Sequence, residues 1–146
     1  MSVGRICTRD VDVASSDESV QQAAERMHER SVGTLVVVDA KQQPVGIVTD
    51  RDLVVRAVAE GYDPHFTTVG SVMTPEPETA LEDTPIEHAL ERMERGGFRR
   101  MPVVDHADRL VGLVTLDDIL MLFADELNRA GKILVRQTPR AAANAQ

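Results

Sequence analysis

Two heptapeptides in this chain carry residue types and spacing suited to binding chemistry. They are Gly46-Ile47-Val48-Thr49-Asp50-Arg51-Asp52 and Gly112-Leu113-Val114-Thr115-Leu116-Asp117-Asp118. In each, Thr follows Gly by three residues and Asp follows Thr by three. A hydroxyl donates and accepts, whereas a carboxylate only accepts and can take both hydrogen bonds of a vicinal diol. At a strand-to-helix junction the pair would sit beside free backbone N–H groups and the positive end of a helix dipole. That combination favours anions, phosphate above all. A ribose phosphate supplies diol and anion together. The same spacing has a reading that needs no ligand: a Thr followed three residues later by an acid is a capping box. Both readings predict one local geometry, and at this point both stay open.

Cations are the second requirement. Arg99 and Arg100 stand immediately before the apolar run Met101-Pro102-Val103-Val104. Adjacent like charges repel unless an anion is shared, so the pair is expected to contact phosphate. The equivalent positions earlier in the chain are Gly33 and Thr34, which carry no charge. Arg51 has two readings. It forms first-turn ion pairs of little worth, or it contacts phosphate and offsets the deficit at Gly33 and Thr34. Other chemistry finds little support. His28, His65, His88 and His106 lack the spacing of a metal site, and His28 and His88 fall on polar helix faces. The lone Cys7 has only Arg9 as a basic neighbour and is expected to be unreactive. No nucleophile–base set and no Walker-type loop occurs. The six Met residues are expected in the core.

These residues need elements to hold them, and a repeat supplies the plan. Val45-Gly46-Ile47-Val48-Thr49 recurs 66 residues later as Val111-Gly112-Leu113-Val114-Thr115. The same offset joins Glu25-Arg26-Met27 to Glu91-Arg92-Met93, Val37-Val38-Asp39 to Val103-Val104-Asp105, and Thr8 to Thr74, without a gap. Each copy reads as helix, strand, strand, helix. Val20, Ala23, Ala24 and Met27 form one apolar stripe, and Ile86, Ala89, Leu90 and Met93 form the other. Residues 17–19 offer caps to the first helix. Thr84-Pro85 with Glu87 predicts an N-cap, a proline at the first helical position and a capping-box acid for its counterpart. Short β-branched runs at 35–38, 45–49, 101–104 and 110–115 predict buried strands. A second helix starts near Asp50, ending at Gly61, and another near Leu116. The organisation expected is a first repeat over 3–66, a second over 67–128, and a tail over 129–146 that frays at its end. A unit of about 60 residues is marginal alone, so the copies should pack by a pseudo-twofold axis.

Composition sets the outer bounds. The chain has 146 residues, of which 42% are hydrophobic and only 3% aromatic, so aliphatic residues and Met must build the core. Sixteen Lys and Arg face 24 Asp and Glu, a net charge of −8. That balance argues against nucleic acid and anionic membrane as partners. No run approaches the ~20 apolar residues of a membrane span, and no signal-peptide core follows the start. A cytoplasmic α/β protein is expected.

With repeat and motifs in place, residues 3–128 resemble a tandem pair of CBS domains, a Bateman module. Met73-Thr74-Pro75 opens the second copy as in that family, whereas the first has Cys7-Thr8-Arg9. The resemblance implies two β-α-β-β-α repeats about a pseudo-twofold axis. It also implies an adenosine-containing ligand in the cleft between them: AMP, ADP, ATP, S-adenosylmethionine or NAD. Thr49 with Asp52, and Thr115 with Asp118, match the family's phosphate and ribose contacts. Arg99 and Arg100 match its phosphate-binding basic pair. The adenine would lie against side chains and strand backbone around Thr34, Leu35 and Val36, and around Met101, Pro102 and Val103. Arg51 is the candidate added by the first copy. The implied function is that of a regulatory module without catalytic residues, metal or catalytic cofactor, as in stand-alone CBS-pair proteins of bacteria. It would be read by a regulated protein that the sequence does not name. A homodimer is implied, with Leu53, Val54, Ala57 and Val58, and Ile119, Leu120, Leu122, Phe123 and Leu127, as its surface. The alternative is a scaffold or interaction protein whose ligand sites are inactive.

Overall fold

The computed structural model describes residues 1–137. After a short 3-10 turn at Val3–Arg5 the chain forms β1 (Val13–Ala14), α1 (Val20–Arg30), β2 (Thr34–Val38), β3 (Pro44–Thr49) and α2 (Asp50–Leu53). It continues through α3 (Val69–Val72), β4 (Thr74–Pro75), β5 (Ala80–Leu81), α4 (Ile86–Gly96), β6 (Arg100–Val104), β7 (Leu110–Thr115) and α5 (Leu116–Gln137). Each copy thus has the β-α-β-β-α order, and the α/β class expected from the sequence holds.

The two copies reproduce each other in detail. Val20, Ala23 and Met27 of α1 are buried, as are Ile86, Ala89 and Met93 of α4. Ala24, assigned to the first stripe, is exposed. Ser19 caps α1 in a box with Gln22, and left-handed residues close both helices, Ser31 at φ 54° and Gly97 at φ 67°. The expected cap of α4 does not form. Pro85 occupies the N-cap position, and the Thr84 hydroxyl turns back to accept from the Leu81 N–H at 3.0 Å. Closing the turn after β5 uses the side chain that a capping box would need. In both sheets the antiparallel pair slips register at the same point, between Val37 and Val38 and between Val103 and Val104.

The cores cross over between the copies. The first contains Leu35, Val37 and Val48, completed by Val69 and Val72 of α3, with Met73 packed on its edge. The second contains Met101, Val103, Val114 and Ile119, completed by Val3, with Ile6 and Cys7 on its edge. Strand pairing follows the same rule: β4 joins β3, and Thr8 bridges to Leu113 of β7. Each sheet is therefore finished by the segment that opens the other copy. This explains the glycines of the repeated motif. A Cβ on Gly46 would strike the Met73 sulfur, and one on Gly112 would lie 2.6 Å from the Cys7 sulfur. Met73 and Cys7 are themselves 66 residues apart.

Strand alternation puts Val36 and Pro102 on the opposite faces. Both are fully buried yet belong to neither core cluster, as residues between the two sheets would be. The Leu110 N–H donates to the Gln42 carbonyl at 2.8 Å, tying the turns of the two copies together.

Two further expectations are revised. α2 runs on from Leu53 into a wide π-type turn over Val54–Val58 before Gly61, at φ 73°. α5 does not end near residue 128 but passes through Gly131 to Gln137; the expected frayed end lies outside the described residues. Of the two stripes assigned to a dimer surface, Leu53, Ala57 and Ile119 are buried in the cores, whereas Val54, Val58, Leu120, Phe123 and Leu127 are exposed. Met1 and Met121 are exposed, so not every Met serves the core. No helix of the described residues is long and apolar enough to cross a membrane.

Candidate functional site

Each strand-to-helix junction forms a capping box. The Thr49 hydroxyl accepts from the Asp52 N–H at 3.2 Å, and the Asp52 carboxylate accepts from the Thr49 N–H at 2.9 Å. Thr115 and Asp118 repeat both distances. The ligand-free reading of the motif is therefore realised twice. It does not exhaust the side chains, because each hydroxyl proton and the second carboxylate oxygen remain to be used. The second oxygen of Asp52 faces Arg56 at 3.8 Å, and Arg56 also donates to the Val72 and Met73 carbonyls at 3.1 and 3.2 Å. The position equivalent to Arg56 is Leu122, so Asp118 has no such counter-ion.

Above the second junction lies a cleft of about 250 Å³ shared by the two copies. Thr34 enters it from the start of β2, and Arg100 from the start of β6. Thr115, the register partner of Arg100, lines the same cleft. Three of the predicted residues from both copies thus converge. Arg100 makes no hydrogen bond or ion pair among the described residues and is exposed to the cleft. Arg99 donates to Asp117 at 3.1 Å, and both bound a smaller hollow with Arg100 and Thr115. That exposed pair is worth little by itself.

The remaining predicted residues lie elsewhere. Arg51 is exposed on the first turn of α2, outside the cleft lining, and its guanidinium has no partner among the described residues. Its predicted local ion pairs do not form. Thr49 and Asp52 occupy the other junction. Met101 is fully buried in the second core, Pro102 is fully buried outside both core clusters, and neither lines the cleft.

Sequence reasoning missed the wall built by Thr8, Asp10, Val11 and Asp12. The match of Thr8 to Thr74 was the only signal of it. Asp10 and Asp12 bring negative charge to the cleft, but Arg30 holds them at 3.1 and 2.7 Å. Next to this wall, burial pushes the Cys7 thiol above its ordinary range; Glu82 and Asp118 add to the shift, and Arg9 opposes it.

A larger hollow of about 840 Å³ is lined by first-repeat residues alone and holds none of the predicted ones. Its Arg26 is spent on Glu18 and the Val13 carbonyl, each at 2.8 Å. Asp12, Asp17, Glu18 and Asp39 make it unfavourable for an anion. Among the described residues no group of three His, Cys, Asp or Glu is placed to hold a metal ion.

Two sheets completed by exchanged segments, with a cleft between the copies at a helix N-terminus, define a paired α/β repeat. The CBS domain family matches residues 3–58 and 69–125, and the chain belongs to it. An uncharacterized protein of Methanopyrus kandleri is 37% identical over 122 residues, 84% of this chain and 62% of its own length. The chain thus spans less than two thirds of that relative. A CBS domain pair solved with 5′-methylthioadenosine and S-adenosyl-L-methionine superposes with a TM-score of 0.76 at 32% identity, covering 86% of this chain and 98% of the other. CBSX2 of Arabidopsis thaliana, solved with AMP, gives 0.72 at 29% identity, covering 85% and 96%.

Proposed function

We propose that the chain is a regulatory module that binds an adenosine-containing anion in the cleft between its repeats and has no chemistry of its own. The observation that carries this reading is Arg100, a cation without a partner among the described residues, facing a cleft beside Thr115 and the N-terminus of α5. Arg100 would bind phosphate, with Arg99 joining once it leaves Asp117. Thr115 would donate its hydroxyl proton, and Asp118 would accept from the ribose diol. Two CBS pairs of the same fold carry adenosine compounds, which supports the ligand class. Ligand binding would favour one arrangement of the two copies, and a partner would read that arrangement by linkage. We also propose that the module works in the cytoplasm as a pair of identical chains.

The test is a calorimetric titration with AMP, ATP, NAD and S-adenosylmethionine, followed by 2′-deoxy-AMP against AMP. Removing a charged hydrogen bond to the diol should cost roughly 1.5–3 kcal/mol. Equal affinity for AMP and its 2′-deoxy analogue removes Asp118 from the site. No binding by any of the four ligands leaves the scaffold reading in its place.

A further inference from the structure

Asp10 and Asp12 stand in the wall of the cleft that Arg100 faces, where an anion would least need them. Arg30, the last residue of α1, donates to Asp10 at 3.1 Å and to Asp12 at 2.7 Å. The second copy serves as an internal control. Its equivalents of Asp10, Asp12 and Arg30 are Glu76, Glu78 and Gly96. A Cβ on Gly96 would lie 2.2 Å from the Phe98 ring, so no arginine fits there while the ring keeps its place. Glu78 pairs instead with Arg92 at 3.0 Å. The repeat therefore folds without a clasp of this kind, and the clasp on Asp10 and Asp12 finds its reason in the cleft.

A count of charges gives that reason. Arg100 is the one cation in the lining of the cleft. Arg99 stands beside it at the smaller hollow but is paired with Asp117 at 3.1 Å. The two hollows share Arg100 and Thr115, and acids complete both linings: Asp10 and Asp12 in one, Asp117 in the other. A phosphate at Arg100 gains Arg99 only by drawing it off Asp117, which leaves that carboxylate bare. A terminal phosphate carries about −1.5 to −2 at pH 7, so one such group uses up the charge of both arginines. Each further phosphate adds negative charge and meets acids. Asp12 is nearly buried and anchors Arg30, whereas the Asp10 side chain is 89% exposed and open to a phosphate chain. Like charges placed in this way reject a wrong ligand without tightening the right one.

We propose that Asp10 and Asp117 set the number of phosphates, so that the cleft takes the adenosine monophosphate in preference to the di- and triphosphate. Arg30 holds the acidic wall in position. This rests on the ligand-binding reading above and deepens it, from a class of anion to the length of its phosphate chain.

The test is calorimetry on the full chain with adenosine, AMP, ADP and ATP, at low salt and with EDTA to keep the nucleotides free of metal. AMP should bind most tightly, and ATP about tenfold more weakly, the effect of one like-charge contact near a protein surface. Asp10→Asn and Asp117→Asn change exposed carboxylates to amides of the same shape, so circular dichroism should be unchanged. Each should narrow the gap between AMP and ATP by about threefold or more and leave adenosine as it was. Salt toward about 1 M, where charges are screened within ~3 Å, should narrow the gap in the unsubstituted chain. ATP binding as tightly as AMP overturns the proposal and leaves the ligand-binding reading standing. A gap that neither substitution narrows assigns the discrimination to the size of the cleft and overturns the roles of Asp10 and Asp117. A chain that binds none of the four, adenosine included, overturns both readings.

Discussion

The junctions at Thr49 and Thr115 match to within a tenth of an ångström in their capping boxes and differ in almost everything that faces outward. The first has Gly33 and Thr34 where the second has Arg99 and Arg100. It has Asp50 and Arg51 where the second has Leu116 and Asp117, so an acid gives way to an apolar residue and a base to an acid around the same backbone. Arg56 faces Asp52, whereas Leu122 is the equivalent residue behind Asp118. The repeated part is what folds a strand into a helix, because the cap satisfies N–H groups that either copy would otherwise leave unpaired. The unrepeated part is charge, and charge selects ligands. Duplication therefore yields two equivalent scaffolds with unequal charge at their junctions.

The most direct way to break this comparison is Arg100→Ala. The net charge of −8 opposes any anion unless a local cation offsets it. Loss of a charge-assisted hydrogen bond should cost roughly 1.5–3 kcal/mol, or about 10- to 100-fold in AMP affinity. Adenosine, which has no phosphate, should bind nearly as before. Calorimetry with both ligands on both proteins is the measurement. Equal losses for the two would make Arg100 a wall of the cleft, and the asymmetry between the sites would no longer rest on charge.

The exchanged segments offer a second way to break the symmetry. Gly112→Ala places a methyl 2.6 Å from the Cys7 sulfur and 3.1 Å from the Thr8 carbonyl oxygen, and the backbone has little room to yield. Gly46→Ala meets only the Met73 side chain, whose rotatable bonds let it move aside. Overpacking of this kind costs about 1–3 kcal/mol, roughly 3–10 °C in melting temperature. Gly112→Ala should sit at the upper end of that range and Gly46→Ala at or below the lower. Adding Cys7→Ala should recover part of the first loss. Thermal melts of the variants check all three, and equal losses without recovery would show that the sulfur contact is not what holds the glycine.

Helices, strands and the strand-to-helix caps were legible because each is written in local period and spacing, whereas the cap read for α4 was not the one that forms. The two Thr-x-x-Asp boxes needed only residues three apart, and the stretch 17–19 supplied the cap Ser19. The exchange of opening segments was not legible, since nothing near Cys7 or Met73 says which sheet a two-residue strand will join. The same holds for Asp10 and Asp12, which reach the cleft only because that segment crosses over. The side chain of Met101 lies in the second core and not in the cleft, which the sequence hid for a different reason. In the unbroken apolar run 101–104 no polar residue marks the alternation, so the core face and the sheet-to-sheet face look alike. Gly131 reads as a helix stop, yet α5 continues through it. Arg100, Thr115 and Thr34, singled out in the sequence, line one cleft, and Gly33 beside them carries no charge.

The smallest expected effects give the sharpest form of the comparison, because one pair of variants separates what the copies share from what they do not. Thr49→Ala and Thr115→Ala each remove the hydroxyl that accepts from an Asp N–H at 3.2 Å. Losing an N-cap costs about 1 kcal/mol. Since the cap is local, the two variants should lose the same stability, although α2 has four residues and α5 has 22. Affinity should not behave alike. Thr115 lines the cleft with Arg100, and Thr49 does not. Its hydroxyl accepts in the cap and keeps its proton to donate to a ligand. Thr115→Ala should therefore weaken AMP by the worth of one hydrogen bond, about 0.5–1.5 kcal/mol, and Thr49→Ala should leave it unchanged. Serine at either position keeps the hydroxyl and should restore both properties. Matched melts and titrations decide the point. Equal losses of affinity would mean that both junctions bind, and the division between a shared scaffold and a single charged site would have to be abandoned.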